Sequence, residues 1–147
     1  MRIMAVDYGD AHTGVAISDP TGMLAGWTTT INSRSQDVVV EQLKAIIAQR
    51  GVEELVLGYP KNMNDTKGER VIKSEALAAR LEAETGLSVH LWDERLTTVD
   101  AHRLLSENGR RGKKRKQQID AVAATLILES YLGFRRNQRE EGTNRAL

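Results

Sequence analysis

Short apolar runs separated by glycine-bearing polar stretches open this chain. Ile3-Met-Ala-Val6 and Val15-Ala-Ile17 have strand length, and a third strand-like run follows at about 23–31. Their connections are short and contain glycine, so residues 2–7, 14–19 and 23–31 are predicted to form an antiparallel meander. The apolar period then lengthens. Val39, Leu43, Ile46 and Ile47 make one stripe of a helix over 35–50, which Ser35 can cap and Gly51 can end. Glu54-Leu-Val-Leu-Gly58 reads as a short buried strand. A helix over 67–85 turns Val71, Leu77 and Leu81 inward and ends at Gly86. Leu87, Val89 and Leu91 alternate as a fifth strand. Thr97, with Asp100 three residues on, opens a helix that Gly109 closes, and a last helix spans about 117–132.

The predicted order, β-β-β-α-β-α-β-α-α, specifies an α/β domain. It has a five-stranded mixed sheet, three antiparallel strands and then alternating β and α, with helices on both faces. Right-handed crossovers through 35–50 and 67–85 bring the C-terminal strand ends at Asp7, Gly58 and Trp92 to one edge, where ligands of open α/β sheets bind. The domain is expected over 1–134, with a flexible polar and basic tail over 135–147.

That edge collects acids. Asp7 shares strand parity with Ile3 and Ala5, so it continues an apolar face, where an unpaired carboxylate is costly. Gly9 and Gly14 allow a sharp turn after it, although a hairpin alone also uses Asp and Gly this way. Glu94 follows the fifth strand, where an ordinary strand-to-helix loop would also place acids ahead of a helix N-terminus. Asp93 takes the other parity and is the less favoured candidate. Asp120 lies in the first turn of the last helix, which suits the helix dipole, yet it shares a face with Ala123, Ala124 and Ile127. Three carboxylates at one edge repel each other unless divalent metal joins them. An oxygen-only set suits Mg²⁺ or Mn²⁺, and two such ions can stabilise both oxygens of a phosphodiester displacement.

Charge sharpens this picture. The net charge is only +1, but from Arg95 onward 12 Lys and Arg face 6 Asp and Glu, against 9 and 14 before it. Asn108-Gly-Arg110-Arg-Gly-Lys113-Lys114-Arg115-Lys116 places six cations in seven positions, in a predicted loop just before Asp120. A solvated surface could carry such a run, but its placement favours nucleic-acid phosphate. With no aromatic interleaved, backbone contact outweighs base stacking. The stretch Gly58–Thr66 supplies Lys61, Asn62 and Thr66 as further substrate contacts. Zero cysteines exclude disulfides, thiolate catalysis and Cys-ligated zinc. The absence of a signal-peptide core and of an 18-residue apolar run predicts a cytoplasmic chain with no membrane partner.

Four segments together resemble the YqgF family, called RuvX, of pre-16S rRNA nucleases within the ribonuclease H-like fold. They are Asp7-Tyr-Gly-Asp-Ala-His-Thr-Gly-Val-Ala-Ile-Ser-Asp19, Gly58-Tyr-Pro-Lys-Asn-Met-Asn-Asp-Thr66, Asp93-Glu-Arg-Leu-Thr-Thr98 and Lys116-Gln-Gln-Ile-Asp-Ala-Val-Ala-Ala124. The resemblance implies a metal-dependent nuclease that matures the 5′ end of pre-16S ribosomal RNA. An older proposal for the family is a Holliday-junction resolvase. It also implies that Asp7, Glu94 and Asp120 are the metal-binding catalytic acids, using Mg²⁺ or Mn²⁺, with Gly9, His12 and Arg95 among the substrate contacts. The expected partner is RNA, with branched or single-stranded DNA as the alternative, and the expected state is a monomer or weak homodimer. Two positions depart from the family pattern. His12 stands where an arginine is usual, and Met63-Asn64-Asp65-Thr66 replaces Met-Asp-Gly-Thr. Other readings are an actin-like ATPase or sugar-kinase phosphate loop, which normally needs two such domains, and a non-catalytic RNA- or ribosome-binding module that needs only the basic run.

Overall fold

The computed structural model describes the backbone of residues 1–59, 68–93 and 113–145, and the side chains of 1–58, 68–93 and 121–138. Its strands are β1 (Arg2–Tyr8), β2 (His12–Ser18), β3 (Ala25–Asn32), β4 (Val52–Tyr59) and β5 (Val89–Asp93). Its helices are α1 (Gln36–Arg50), α2 (Glu69–Thr85) and α3 (Lys113–Arg145). The predicted helix at 97–109, the stretch 60–66 and Glu94 and Arg95 lie outside the described residues.

The strands form one sheet in the order β3-β2-β1-β4-β5. β1 is antiparallel to β2 and β2 to β3, while β4 lies parallel to β1 and β5 parallel to β4. The expected mixed sheet is therefore present, with the first strand at its centre. Alternation along β1 divides the core. Met4 and Val6 face α1 and α2, in a cluster with Val15, Leu43, Leu57, Leu77 and Leu81. Ile3 and Ala5 face the other way, in a cluster with Ala124, Ile127, Leu128 and Tyr131 of α3. Both faces of β1 are thus buried, which is why its sequence is continuously apolar rather than alternating.

Local signals set the helix ends as expected. The Ser35 hydroxyl accepts from the Val38 N–H at 3.4 Å, and Gly51 takes the left-handed conformation at φ 64°, donating to the Ile47 carbonyl. Arg80 of α2 reaches across to Asp37 of α1 and pairs with Glu84 of its own helix, each at 2.6 Å. Such exposed pairs contribute less than about 1 kcal/mol each, so burial holds these helices.

Two expectations are corrected. α3 does not stop at 132; it runs on to Arg145, so the tail expected from 135 begins inside a helix. Residues 134–141 lack proline and glycine and are rich in Arg, Gln and Glu, which are good helix formers. Arg135 also pairs with Glu54 of β4, which itself binds His90 at 2.9 Å. At its other end α3 begins at Lys113, so Lys113, Lys114, Arg115 and Lys116 stand in a helical turn rather than a loop. Leu91 is 44% exposed. β5 is an edge strand with a neighbour on one side only, so the alternation of Leu87, Val89 and Leu91 does not bury all three.

Candidate functional site

The parallel arrangement of β1, β4 and β5 brings their C-terminal ends together. Val6 pairs with Leu57, Leu57 with Leu91 and Gly58 with Trp92, so Asp7 is level with Gly58 and Trp92. Asp7 follows Ile3 and Ala5 on the face covered by α3 and is half-buried. Among the described residues its carboxylate has no hydrogen-bond or ion-pair partner. A carboxylate so placed is unfavourable unless something positive or donating meets it, and its oxygen chemistry fits a hard divalent cation.

The run of α3 brings a second acid position to this edge. Leu132 and Arg135 lie with Met1 and Ile3 around one cleft, at the start of β1. Ala124 and Ile127 pack with Ala5 and Ala16 further along the sheet, so α3 runs antiparallel to β1. Twelve helical residues from Leu132 back to position 120 cover about 18 Å, and four strand residues from Ile3 to Asp7 cover about 13 Å. Position 120 therefore comes to the Asp7 end of the sheet, one turn before Ala124 on the helix. The side chain of Asp120 and all of Glu94 lie outside what is described, and Glu94 is next in the chain after β5 ends at Asp93. Among the described residues no three His, Asp or Glu side chains form a metal-sized group. Of the three acids expected to form a ligand set, Asp7 is the one whose side chain is described. Lys61, Asn62, Thr66 and Arg95 also lie outside the described residues.

The β1–β2 turn is built around Gly9. A Cβ on this residue would overlap the His12 carbonyl oxygen, so the turn closes tightly only with glycine. Gly9→Ala should force the turn open beside Asp7 and cost about 1–3 kcal/mol of stability. The check is the thermal midpoint of the purified variant; a parent-like value would show that the turn accommodates the methyl group. His12 opens β2, and its Nδ1 lies 2.6 Å from Oδ1 of Asn32, its cross-strand partner. Since an amide oxygen only accepts, Nδ1 carries the proton and only Nε2 remains for a substrate.

Two cations reach this turn from α2, and the sequence reading did not identify them. An Arg70 guanidinium nitrogen lies 3.9 Å from where a Gly9 Cβ would stand. Lys73 pairs with Asp10 at 3.5 Å and with Glu69 at 3.3 Å, and these carboxylates raise its pKa, the Glu69 hydrogen bond most. Arg70 and Lys73 look like ordinary solvated helix residues in sequence. Only the packing of α2 against the sheet, with its first turn beside the β1–β2 turn, gives them a place at the edge. Arg70 has no ion-pair partner among the described residues.

Known proteins carry the same architecture. The chain is similar to a curated protein of Moorella thermoacetica named "Putative pre-16S rRNA nuclease", at 48% identity over 132 residues, covering 90% of this chain and 94% of that one. A protein of the same name from Listeria monocytogenes is 47% identical over 134 residues, covering 90% and 97%. Among solved structures, RuvC of Thermus thermophilus in complex with a Holliday-junction substrate superposes with a TM-score of 0.63 at 10% identity, covering 91% of this chain and 96% of that one. The large terminase nuclease of phage G20c superposes at 0.51 with 14% identity, covering 88% and 80%. These structural likenesses establish a RuvC-like, ribonuclease H-type fold. The model of the family described as "RuvX: Holliday junction resolvase" matches residues 1–133, and the chain belongs to that family.

Proposed function

We propose that this protein is a divalent-metal-dependent nuclease that cleaves the precursor of 16S ribosomal RNA near its 5′ end, in the cytoplasm. The carrying observation is Asp7, a half-buried carboxylate at the C-terminal edge of the sheet, on the face that α3 covers. The names of the relatives supply the RNA substrate. Asp7, Glu94 and Asp120 would hold Mg²⁺ or Mn²⁺. Bound there, such an ion supplies a water of lowered pKa and stabilises charge on the phosphodiester oxygens. Around it the chain would position the substrate: Gly9 lets the backbone come close, Arg70 offers a guanidinium with no ion-pair partner among the described residues, and His12 offers Nε2. Lys113, Lys114, Arg115 and Lys116 bring further positive charge to the same end of α3. No described helix is long and apolar enough to cross a membrane.

The test is digestion of end-labelled structured RNA with and without Mn²⁺; no metal-dependent product would leave only a binding module. Branched DNA is the second reading, favoured by the description of the family, and a four-way junction in the same assay decides between them. Arg70 makes a narrower prediction. A charge-assisted hydrogen bond to a substrate phosphate is worth roughly 1.5–3 kcal/mol, so Arg70→Gln should raise KM about tenfold or more. A fall in kcat with unchanged KM would instead assign Arg70 to the chemical step.

A further inference from the structure

A second cluster of arginines lies at the opposite end of the sheet, where β1 begins. Arg2 donates through a guanidinium nitrogen to the Arg50 carbonyl oxygen at 2.7 Å, fixing the start of β1 against the end of α1. The Arg50 guanidinium lies over the indole of Trp27 on the edge strand β3, its Cζ 3.6 Å from the ring centroid. Both arginines and Trp27 line one cleft of about 180 Å³ with Ser18 and Asp19. Asp19 is the carboxylate of this cleft, but its Oδ1 is occupied by the Thr21 hydroxyl at 2.7 Å and the Met23 N–H at 3.1 Å. Among the described residues neither arginine is in an ion pair.

The bonding of these groups is unusual for surface arginines. Stacking on an aromatic face consumes no N–H donor, and the bond to the Arg50 carbonyl consumes one of the five on Arg2. Among the described residues, two guanidiniums are therefore held in place with most of their planar donors free. Forked, oriented donors are the arrangement that matches phosphate oxygens.

We propose that the Arg2–Arg50–Trp27 cleft is a second, non-catalytic contact for the substrate strand, holding backbone phosphate. The proposal rests on the nuclease reading for the identity of the polyanion. Five strand residues separate Arg2 from Asp7, about 17 Å along β1, and the cleft lies on the α1 face of the sheet while Asp7 lies on the α3 face, so a strand must be longer than this and pass round the β3 edge to engage both. Edge strand β3 connects them: Trp27 lies at its beginning, and Asn32, which holds His12, at its end. Phosphate contact fixes the register of a strand but reads no sequence. The cleft would therefore favour long substrates over short ones, whatever their bases.

The experiment compares two single-stranded RNA oligonucleotides, one shorter than about 17 Å and one well beyond it. Binding is measured by fluorescence anisotropy across a salt series, and Mn²⁺-dependent cleavage of the short strand is the control. Arg2→Gln/Arg50→Gln should weaken long-strand binding about tenfold and flatten its salt slope by roughly 0.7 for each phosphate lost. Short-strand binding and cleavage should stay at the parent value. Arg50→Gln alone keeps the Arg2 bond to the backbone, so it carries the test if the double variant folds poorly. Arg50→Lys should keep the salt slope yet weaken long-strand binding, because the charge stays and the stacked fork is lost. Unchanged long-strand affinity in the double variant overturns the proposal, as does an equal loss on both strands. Failure of the parent to bind either RNA would overturn the nuclease reading itself, and this contact with it.

Discussion

Asp7→Asn should remove nuclease activity while leaving the protein folded. The substitution keeps the size and shape of the side chain and deletes one negative charge at a half-buried position on the α3 face of β1. A metal-held phosphodiester draws several kcal/mol of transition-state stabilisation from the ion and its ligands, so losing one ligand charge should cost a factor of roughly 10³ or more in kcat. Stability should move the other way. No partner among the described residues depends on the Asp7 charge, and removing it relieves both desolvation and any repulsion from Glu94 and Asp120. The thermal midpoint without metal should therefore hold or rise. Titration with Mn²⁺ adds a readout independent of turnover, because an ion that binds only the folded state raises the midpoint by mass action. The parent should show that rise and Asp7→Asn should lose most of it. Parent-like cleavage by the purified variant would remove Asp7 from the metal site.

Much of this fold was legible in the sequence because its signals are local. Ser35 and Gly51 mark both ends of α1, the continuously apolar β1 announces a central strand, and short glycine-bearing turns allow only a meander. Three features were less visible. The length of α3 depends on Arg135 meeting Glu54 across 81 residues of sequence, which no local pattern records. The exposure of Leu91 depends on β5 being an edge, a property of sheet order rather than strand composition. Arg70 and Arg50 have the same difficulty in a sharper form. One is placed by how α2 packs beside Gly9, the other by how the end of α1 meets Trp27. Acids on apolar faces stand out in sequence because burial makes them anomalous. Cations on exposed helix faces do not, since solvation explains most of them equally well.

Replacing Lys113, Lys114, Arg115 and Lys116 with glutamine should have the largest effect on substrate affinity. These four positions form the first turn of α3, with no acidic residue among them. A helix N-terminus carries positive partial charge, so cations there are locally unfavourable, and a helix selected only for stability would place acids at these positions. The unfavourable charge is intelligible if a polyanion meets it, and this end of α3 is the one that comes to Asp7. Each phosphate neutralised on a single strand contributes roughly 0.7 to the slope of log affinity against log salt, so loss of all four cations should flatten the slope by up to about 2.8. The same relation gives a weakening of about two orders of magnitude near 0.15 M salt as the upper limit. Base preference should hardly change, because phosphate contacts position a strand without reading it. Helix stability should hold or improve as the clash with the dipole is removed. Affinity for Mn²⁺ without nucleic acid should stay within a few-fold of the parent. The measurement is RNA binding across a salt series, with thermal unfolding alongside. An unaltered slope in a folded quadruple variant would make this turn a solvated surface and move the substrate path to other cations of the edge, Arg70 first among them.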